Sequence, residues 1–71
     1  MPRFSAHARQ RMKERDIDVA DVTAVIDDPD VTFTDRKGNP CYTREVDGRR
    51  IRVVVDAVDT DFVITAIDLD A

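Results

Sequence analysis

Three side chains near the start of the chain have types and a spacing that suit the handling of phosphate. His7, Arg11 and Arg15 recur every four residues, so in a helix they lie along one face. Arginine presents a rigid fork of donors that matches phosphate, and histidine changes its charge between about pH 5 and 8. His7 is also the only histidine in the sequence. No fold requires such a row for packing, which makes it the strongest functional signal in the chain.

This set of residues is typical of phosphodiester cleavage without a metal ion. The reaction needs a group that takes the proton of the 2′-hydroxyl, a group that protonates the leaving oxygen, and cations that stabilise the phosphorane charge. We expect His7 to act as the general base. Arg11 and Arg15 would then hold the phosphate.

A second basic stretch could extend the phosphate contacts across a sheet; its arginines are Arg44, Arg49, Arg50 and Arg52. Strand residues alternate between the two faces of a sheet, so Arg50 and Arg52 share one face while Arg44 lies on the other. These arginines therefore cannot all line one site. Arg44 and Arg52 are the predicted phosphate-binding residues of this stretch, beside Arg15 of the first.

The alternative explanation is that the charged residues of the first segment form an ordinary solvated helix face. Short surface helices commonly have such a face. Three observations favour a function instead: the histidine is unique, the spacing is regular, and few apolar residues compete for the helix. Phe4, Ala8 and Met12 suffice to dock it.

Other chemistries have weaker support in the sequence. One histidine among dispersed aspartates gives no spacing typical of zinc, so no metal is expected. No phosphate-cradling glycine loop is present, because Gly38 and Gly48 are both typical of turns, and no cofactor is predicted. The single cysteine, Cys41, excludes an intramolecular disulfide, and nothing in the sequence places it beside His7 as a nucleophile.

The charge of the chain is segregated along its length. The protein has 71 residues and a net charge of -4, yet residues 1–15 and 31–52 are net positive. This balance argues against indiscriminate binding of nucleic acid but permits one basic patch. Most acids are aspartate and most bases are arginine. High-GC coding and halophilic adaptation both produce such an acidic, arginine-rich composition.

The length and hydropathy of the chain limit the number of domains, the kind of site and the membrane association that can be expected. A chain of this length forms one small domain, residues 1–71, and favours a shallow surface site over an enclosed cavity for a cofactor. No apolar segment resembles a signal peptide, and no apolar run approaches ~18 residues. We therefore expect no membrane association and a cytoplasmic location. The sequence does not indicate whether the protein is a monomer or an oligomer.

Two helices are predicted to come first. Ser5 can cap a helix from Ala6 to Arg15 by accepting a backbone N–H bond. A second helix begins after Asp18, which forms a variant of the capping box with Asp21. It ends at Asp28-Pro29, because proline disfavours helical geometry in the residue before it.

Beyond these helices the apolar period changes to two, which indicates strands. The strands are predicted at residues 31–34, 41–46, 49–58 and 62–67. Asp47-Gly48 favours a type I′ hairpin turn. The predicted fold is α+β, with two N-terminal helices packed on one face of a four-stranded antiparallel meander sheet. Its predicted core contains Val22, Ile26, Phe33, Val53, Val55 and Ile64.

The opening segment resembles a known family. Residues 4–17 fit the pattern F-S-x-H-A-x-x-R-M-x-E-R-x-I, which is similar to that of the domain of unknown function 4258 family. The resemblance covers almost the whole chain. Its later parts fall on Val22, Asp28-Pro29, Arg36-Lys37-Gly38 and Val63-Ile64-Thr65. One departure is Asp16, at a position where the family often has glycine.

The resemblance implies a relation to the barnase–colicin–RelE group of metal-independent ribonuclease toxins. That relation implies a curved sheet with helices packed on it, and an RNA site that combines a helix histidine and arginine with a strand hydroxyl. On this sequence the implied catalytic residues are His7, Arg11 and Thr65, with Arg15 beside them.

Three interpretations follow. The first is a small, toxin-like, metal-independent ribonuclease that cleaves RNA and is held inactive by an antitoxin-like protein. The second is a non-catalytic RNA- or protein-binding module that uses the same basic patch. The third is a structural or regulatory protein that acts through its acidic surface. Cleavage requires His7 whereas phosphate affinity does not, and the third interpretation requires neither Arg11 nor Arg15.

Overall fold

The computed structural model describes residues 2–71 and has an α+β fold, as predicted. Its elements are two helices, α1 (Ala6–Glu14) and α2 (Val19–Asp27), and five strands, β1 (Arg3–Phe4), β2 (Val31–Thr34), β3 (Pro40–Val46), β4 (Arg49–Val55) and β5 (Phe62–Asp68). Both helices contribute to one core with the same face of the sheet. Within residues 2–71, no helix has the length and apolarity that crossing a bilayer requires.

The sheet has one strand more than the sequence predicted. Its strand order is β1-β5-β4-β3-β2, and β2 to β5 form the predicted antiparallel meander. Strand β1 runs parallel to the start of β5, with Arg3 opposite Phe62 and Phe4 opposite Val63. The prediction of a purely antiparallel, four-stranded sheet is therefore wrong in this detail. Strand β1 was missed because a strand of two residues is too short to show a periodic pattern. Its partners also lie near the other end of the chain.

Helix α1 begins and ends with identifiable caps. Ser5 Oγ accepts a hydrogen bond from the N–H of Ala8 at 2.9 Å, which confirms the predicted N-cap. The helix ends one residue earlier than predicted, because Asp16 adopts a left-handed conformation with φ 54°. The N–H of Ile17 then donates to the carbonyl of Met12 at 2.8 Å, the bond of a Schellman ending. Aspartate tolerates this conformation better than most residues, so it can replace the expected glycine.

Helix α2 is fixed by the predicted capping box. Asp18 accepts a bond from the N–H of Asp21 at 2.8 Å, and the Asp21 carboxylate accepts one from the N–H of Asp18 at 3.2 Å. The helix ends at Asp27, just before the predicted Asp28-Pro29 boundary. Both helices therefore have well-defined first and last residues where they pack on the sheet.

A single apolar core joins the helices to the sheet. Its buried members are Ala8, Met12, Ile17, Val22, Val25, Ile51, Val53, Val55, Val63 and Ala66. Three of the predicted core residues belong to it: Val22, Val53 and Val55. Ile26 packs against it and is only partly buried.

Two predicted core residues, Phe33 and Ile64, lie elsewhere. The side chain of Phe33 is 43% exposed, because its pairing with Cys41 places it on the face of the sheet away from the helices. Ile64 lies outside the buried cluster because the pairing of β4 with β5 shifts between Val54 and Val55. That irregularity places Val63, instead of Ile64, in the core.

The second face of the sheet carries no helix among residues 2–71, and we call it the helix-free face. Two rows of paired residues cross it. The first row is Phe33, Cys41, Val54 and Thr65, and the second is Val31, Thr43, Arg52 and Ile67. The middle members of the first row and Thr43 are buried, whereas Val31, Phe33 and Ile67 remain exposed.

Candidate phosphate-binding site

One cavity of about 310 Å³ lies between α1 and the second half of β5. Its lining residues are His7, Arg11, Arg15, Thr65, Ala66, Ile67 and Asp68. The first three are exposed and follow one face of the helix, as their spacing predicted. The cavity is therefore a shallow cleft with a basic helix on one side and a strand on the other.

The start of α1 is attached to β5 through Ser5. Its backbone N–H donates to the carbonyl of Val63 at 3.0 Å, and its hydroxyl donates to the carbonyl of Ile64 at 2.6 Å. Ala8 and Met12 are buried beneath the helix. The exposed surface of the helix carries His7, Arg11 and Arg15, which we call the basic row. The buried side chains that dock α1 therefore also place this row along β5.

The strand side of the cavity is the open edge of the sheet. Strand β1 pairs with β5 only as far as Val63, so within the described residues 2–71 the outer edge of β5 has no neighbouring strand beyond that residue. Thr65 lies on the helix-free face and Ala66 on the helix-bearing face, as their partners Val54 and Val53 show. Because residues of both faces line the cavity, it wraps around this edge.

Four of the six predicted site residues thus line one cavity: His7, Arg11, Arg15 and Thr65. Their chemical roles stay predictions. Arg11 Nη1 also contacts Glu14 Oε1 at 3.3 Å, but both side chains are about half exposed, so solvent screens this pair. No hydrogen bond holds the His7 imidazole to another of residues 2–71.

The other two predicted residues, Arg44 and Arg52, do not line the cavity. Arg44 lies on the helix-bearing face, where its guanidinium donates to the carbonyl of Ala24 at 3.1 Å and approaches Asp28 at 3.8 Å. It therefore neutralises the C-terminal end of α2. Arg52 lies on the helix-free face, with its guanidinium carbon 4.9 Å from the ring centroid of Phe33.

Arg49, one arginine of the second basic stretch, holds helix ends in place and was not among the predicted site residues. Its guanidinium donates to the carbonyl of Arg15 at 2.6 Å and also to that of Asp16. It forms ion pairs with Asp21 at 3.5 Å and with Asp68 at 3.4 Å. One side chain therefore joins the end of α1, the start of α2 and the end of β5. The sequence did contain one indication of this role. Side chains alternate along a strand, so Arg49 lies on the same face as Ile51, which faces the helices.

Removal of this junction gives a stability prediction. We expect Arg49→Met to lower the free energy of unfolding by about 1–3 kcal/mol, because helix-end carbonyls and two carboxylates lose a charged donor. Urea unfolding followed by circular dichroism measures the change. Arg50→Met is the matched control, since Arg50 lies on the opposite face and forms no ion pair among residues 2–71. Equal losses in the two variants would contradict the structural role of Arg49.

Cysteine and metal chemistry have no visible place in the cleft. Cys41 is buried on β3, and burial raises the pKa of its thiol, which keeps the sulfur protonated and poorly nucleophilic. It does not line the cavity that contains His7. No group of three metal-ligating side chains occurs among residues 2–71.

Comparison with known proteins places the chain in a family. Residues 4–68 match the family described as Domain of unknown function (DUF4258). The protein belongs to the DUF4258 family. The matched segment contains every residue that lines the cavity of this DUF4258 protein. No curated protein and no solved structure matches the chain significantly, so the relation to the barnase–colicin–RelE group stays a prediction.

Proposed function

We propose that this DUF4258 protein is a small metal-independent ribonuclease that cleaves RNA in the cleft between α1 and β5. The observation that carries the proposal is that His7, Arg11, Arg15 and Thr65 line one cavity. The first three could have shared a helix face by spacing alone. Thr65 comes from the last strand, so its presence beside them supports a composite site.

The proposed reaction is an internal transfer within RNA. His7 takes the proton of a 2′-hydroxyl as its oxygen attacks the adjacent phosphorus. The bond from phosphorus to the 5′-oxygen breaks, and that oxygen takes a proton from solvent in the open cleft. The products are a 2′,3′-cyclic phosphate and a 5′-hydroxyl. Arg11 and Arg15 stabilise the negative charge that develops on the phosphorus oxygens, and the Thr65 hydroxyl donates a further hydrogen bond.

The proposal includes the surroundings in which the enzyme acts. The relation to ribonuclease toxins that the family resemblance implies would make this a cytoplasmic protein kept inactive by an antitoxin-like partner. The cleft is open to solvent along the sheet edge, and its lining includes three basic side chains. A partner with an acidic segment could cover it through charge complementarity.

A second candidate is a non-catalytic RNA-binding module that uses the same cleft. One observation favours it: no hydrogen bond orients the His7 imidazole within residues 2–71, whereas catalytic bases are commonly oriented by a third group. A binding module needs only the cations and tolerates a mobile imidazole. Cleavage chemistry therefore decides between the two.

The deciding experiment is a cleavage assay in the presence of a chelator. We expect the purified protein, freed from any partner, to cleave single-stranded RNA and leave a 2′,3′-cyclic phosphate. DNA of the same sequence should remain intact, because it lacks the 2′-hydroxyl nucleophile. Cleavage that stops when the chelator is added would contradict the metal-independent reaction. An absence of cleavage would favour the binding module.

A further inference from the structure

An aromatic side chain stands exposed on the helix-free face. Phe33 is 43% exposed, and it is the end member of the row that begins at Thr65. This large apolar side chain is not part of the core, and it stays exposed although the guanidinium of Arg52 lies over its ring. Its ring is therefore available to a ligand.

Arg52 and the Phe33 ring together form a surface on which a planar group can stack, and we call it the stacking surface. Its guanidinium carbon lies 4.9 Å from the ring centroid, which is the distance of a cation–π contact. Its Nε also donates to Thr43 Oγ1 at 3.3 Å, and Thr43 is buried, so the guanidinium is held on the sheet. Among residues 2–71 no carboxylate forms an ion pair with Arg52, in contrast to Arg44 and Arg49.

The stacking surface is connected to the cleft. Phe33, Cys41, Val54 and Thr65 form one row across four adjacent strands. Three strand spacings of about 4.8 Å separate its ends by roughly 14 Å. Thr65 also lines the cleft, so a chain bound there can continue across the helix-free face to Phe33.

We propose that Phe33 and Arg52 bind an unpaired base of a single-stranded RNA whose backbone lies in the cleft. The inference rests on the proposed function and adds the substrate class, because a base must be unstacked to meet the ring. Base stacking on an aromatic ring is tolerant of sequence, and an adjacent arginine adds a cation–π contribution. The site therefore selects single strands over duplexes without selecting a sequence.

The charges on this face favour RNA over a second copy of the protein. Arg50 and Arg52 both project there. Two acids lie near Arg50, namely Glu45 opposite it and Asp70, whose carboxylate accepts from the N–H of Arg50 at 2.9 Å, whereas Arg52 forms no ion pair among residues 2–71. Two such faces brought together would place like charges near one another. A polyanion meets complementary charge on the same surface.

A tryptophan reporter tests the base site directly. The protein contains no tryptophan, so Phe33→Trp gives a single emission signal at the proposed site. In a His7→Ala background, which prevents cleavage, a single-stranded oligoribonucleotide of mixed sequence should quench that emission. The same sequence as a duplex should quench it much less. Val19→Trp is the matched control, because Val19 is 47% exposed on α2, and its emission should not change.

Affinity measurements provide the second readout. Anisotropy of a labelled single strand should show binding about 5- to 100-fold weaker for Phe33→Ala, from the usual effect of losing one stacked base. Phe33→Leu should be similarly weak and Phe33→Tyr close to wild type, since stacking requires an aromatic ring. Arg52→Gln should weaken binding in the same direction.

Four results would overturn the inference: equal quenching in the two tryptophan variants, no quenching in either, unchanged affinity in Phe33→Ala, or sedimentation showing that Phe33 closes a protein dimer. Failure of the base site leaves the cleavage proposal intact if wild type still cleaves RNA. Conversely, quenching by a single strand supports the base site even if no cleavage occurs. The two proposals are therefore tested separately.

Discussion

Replacing His7 with alanine should reduce RNA cleavage by about 100- to 10,000-fold, the usual effect of removing a positioned general base. RNA affinity should change little, because Arg11 and Arg15 supply the phosphate contacts. Thermal stability should also be unchanged, since His7 is exposed and lies outside the core. Single-turnover cleavage and binding to an uncleavable DNA–RNA chimera measure the two quantities independently.

Two further variants on the same helix make the result specific. Arg11→Ala should reduce the cleavage rate more than the affinity, since its charge is needed most when the phosphorane forms. Arg9→Ala is the control, because Arg9 is exposed on α1 but does not line the cleft. Full cleavage by the His7 variant would show that His7 is not the general base.

Val55→Asp should unfold the protein. Val55 is fully buried at the end of the central strand β4 and belongs to the apolar core that residues 2–71 form. An unpaired carboxylate buried there costs several kcal/mol. A domain of this size has a total stability of roughly 3–5 kcal/mol, so the substitution removes most or all of it. Circular dichroism and the dispersion of amide signals in NMR spectra would detect the loss.

The chain provides a matched control for this substitution. Val58 lies three residues further on and is 96% exposed in the turn after β4. Val58→Asp introduces the same charge at an exposed position. Its free energy of unfolding should stay within about 0.5 kcal/mol of the wild-type value. A cooperative melt retained by Val55→Asp would show that the register of β4 is wrong.

The sequence predicted those parts of the fold that local chemistry determines. Ser5, the Asp18 and Asp21 pair and the Asp47-Gly48 turn each act within a few residues, and each occupies its predicted role. The third strand was predicted to continue to Val58, but it ends at Val55. Asp56 accepts bonds from the N–H groups of Val58 and Asp59 there, and this turn competes with the strand.

The remaining fold errors came from pairing between distant segments. Strand β1 and the irregularity near Val55 depend on how β5 meets its neighbours, which no local pattern records. Phe33 looked like a core residue because alternation gives two faces without saying which one the helices cover. For the same reason the sequence could place only some of the predicted site residues together. Helical spacing aligned His7 with Arg11, but only the assembled sheet shows where Arg44 and Arg52 lie.

The attachment of α1 to β5 through Ser5 also bears on how the protein is made. Ser5 and its partner Ile64 are 59 positions apart in the chain. During translation, α1 emerges before strands β2 to β5, and the meander from β2 to β4 can form before β5 leaves the ribosome. The cleft has no second wall until β5 arrives, because Thr65 to Asp68 supply it. Pairing segments this far apart in the chain carries a larger loop-closure entropy cost than pairing neighbouring strands. A nascent chain therefore carries the basic row without the site, and the proposed activity begins only after synthesis has passed Asp68.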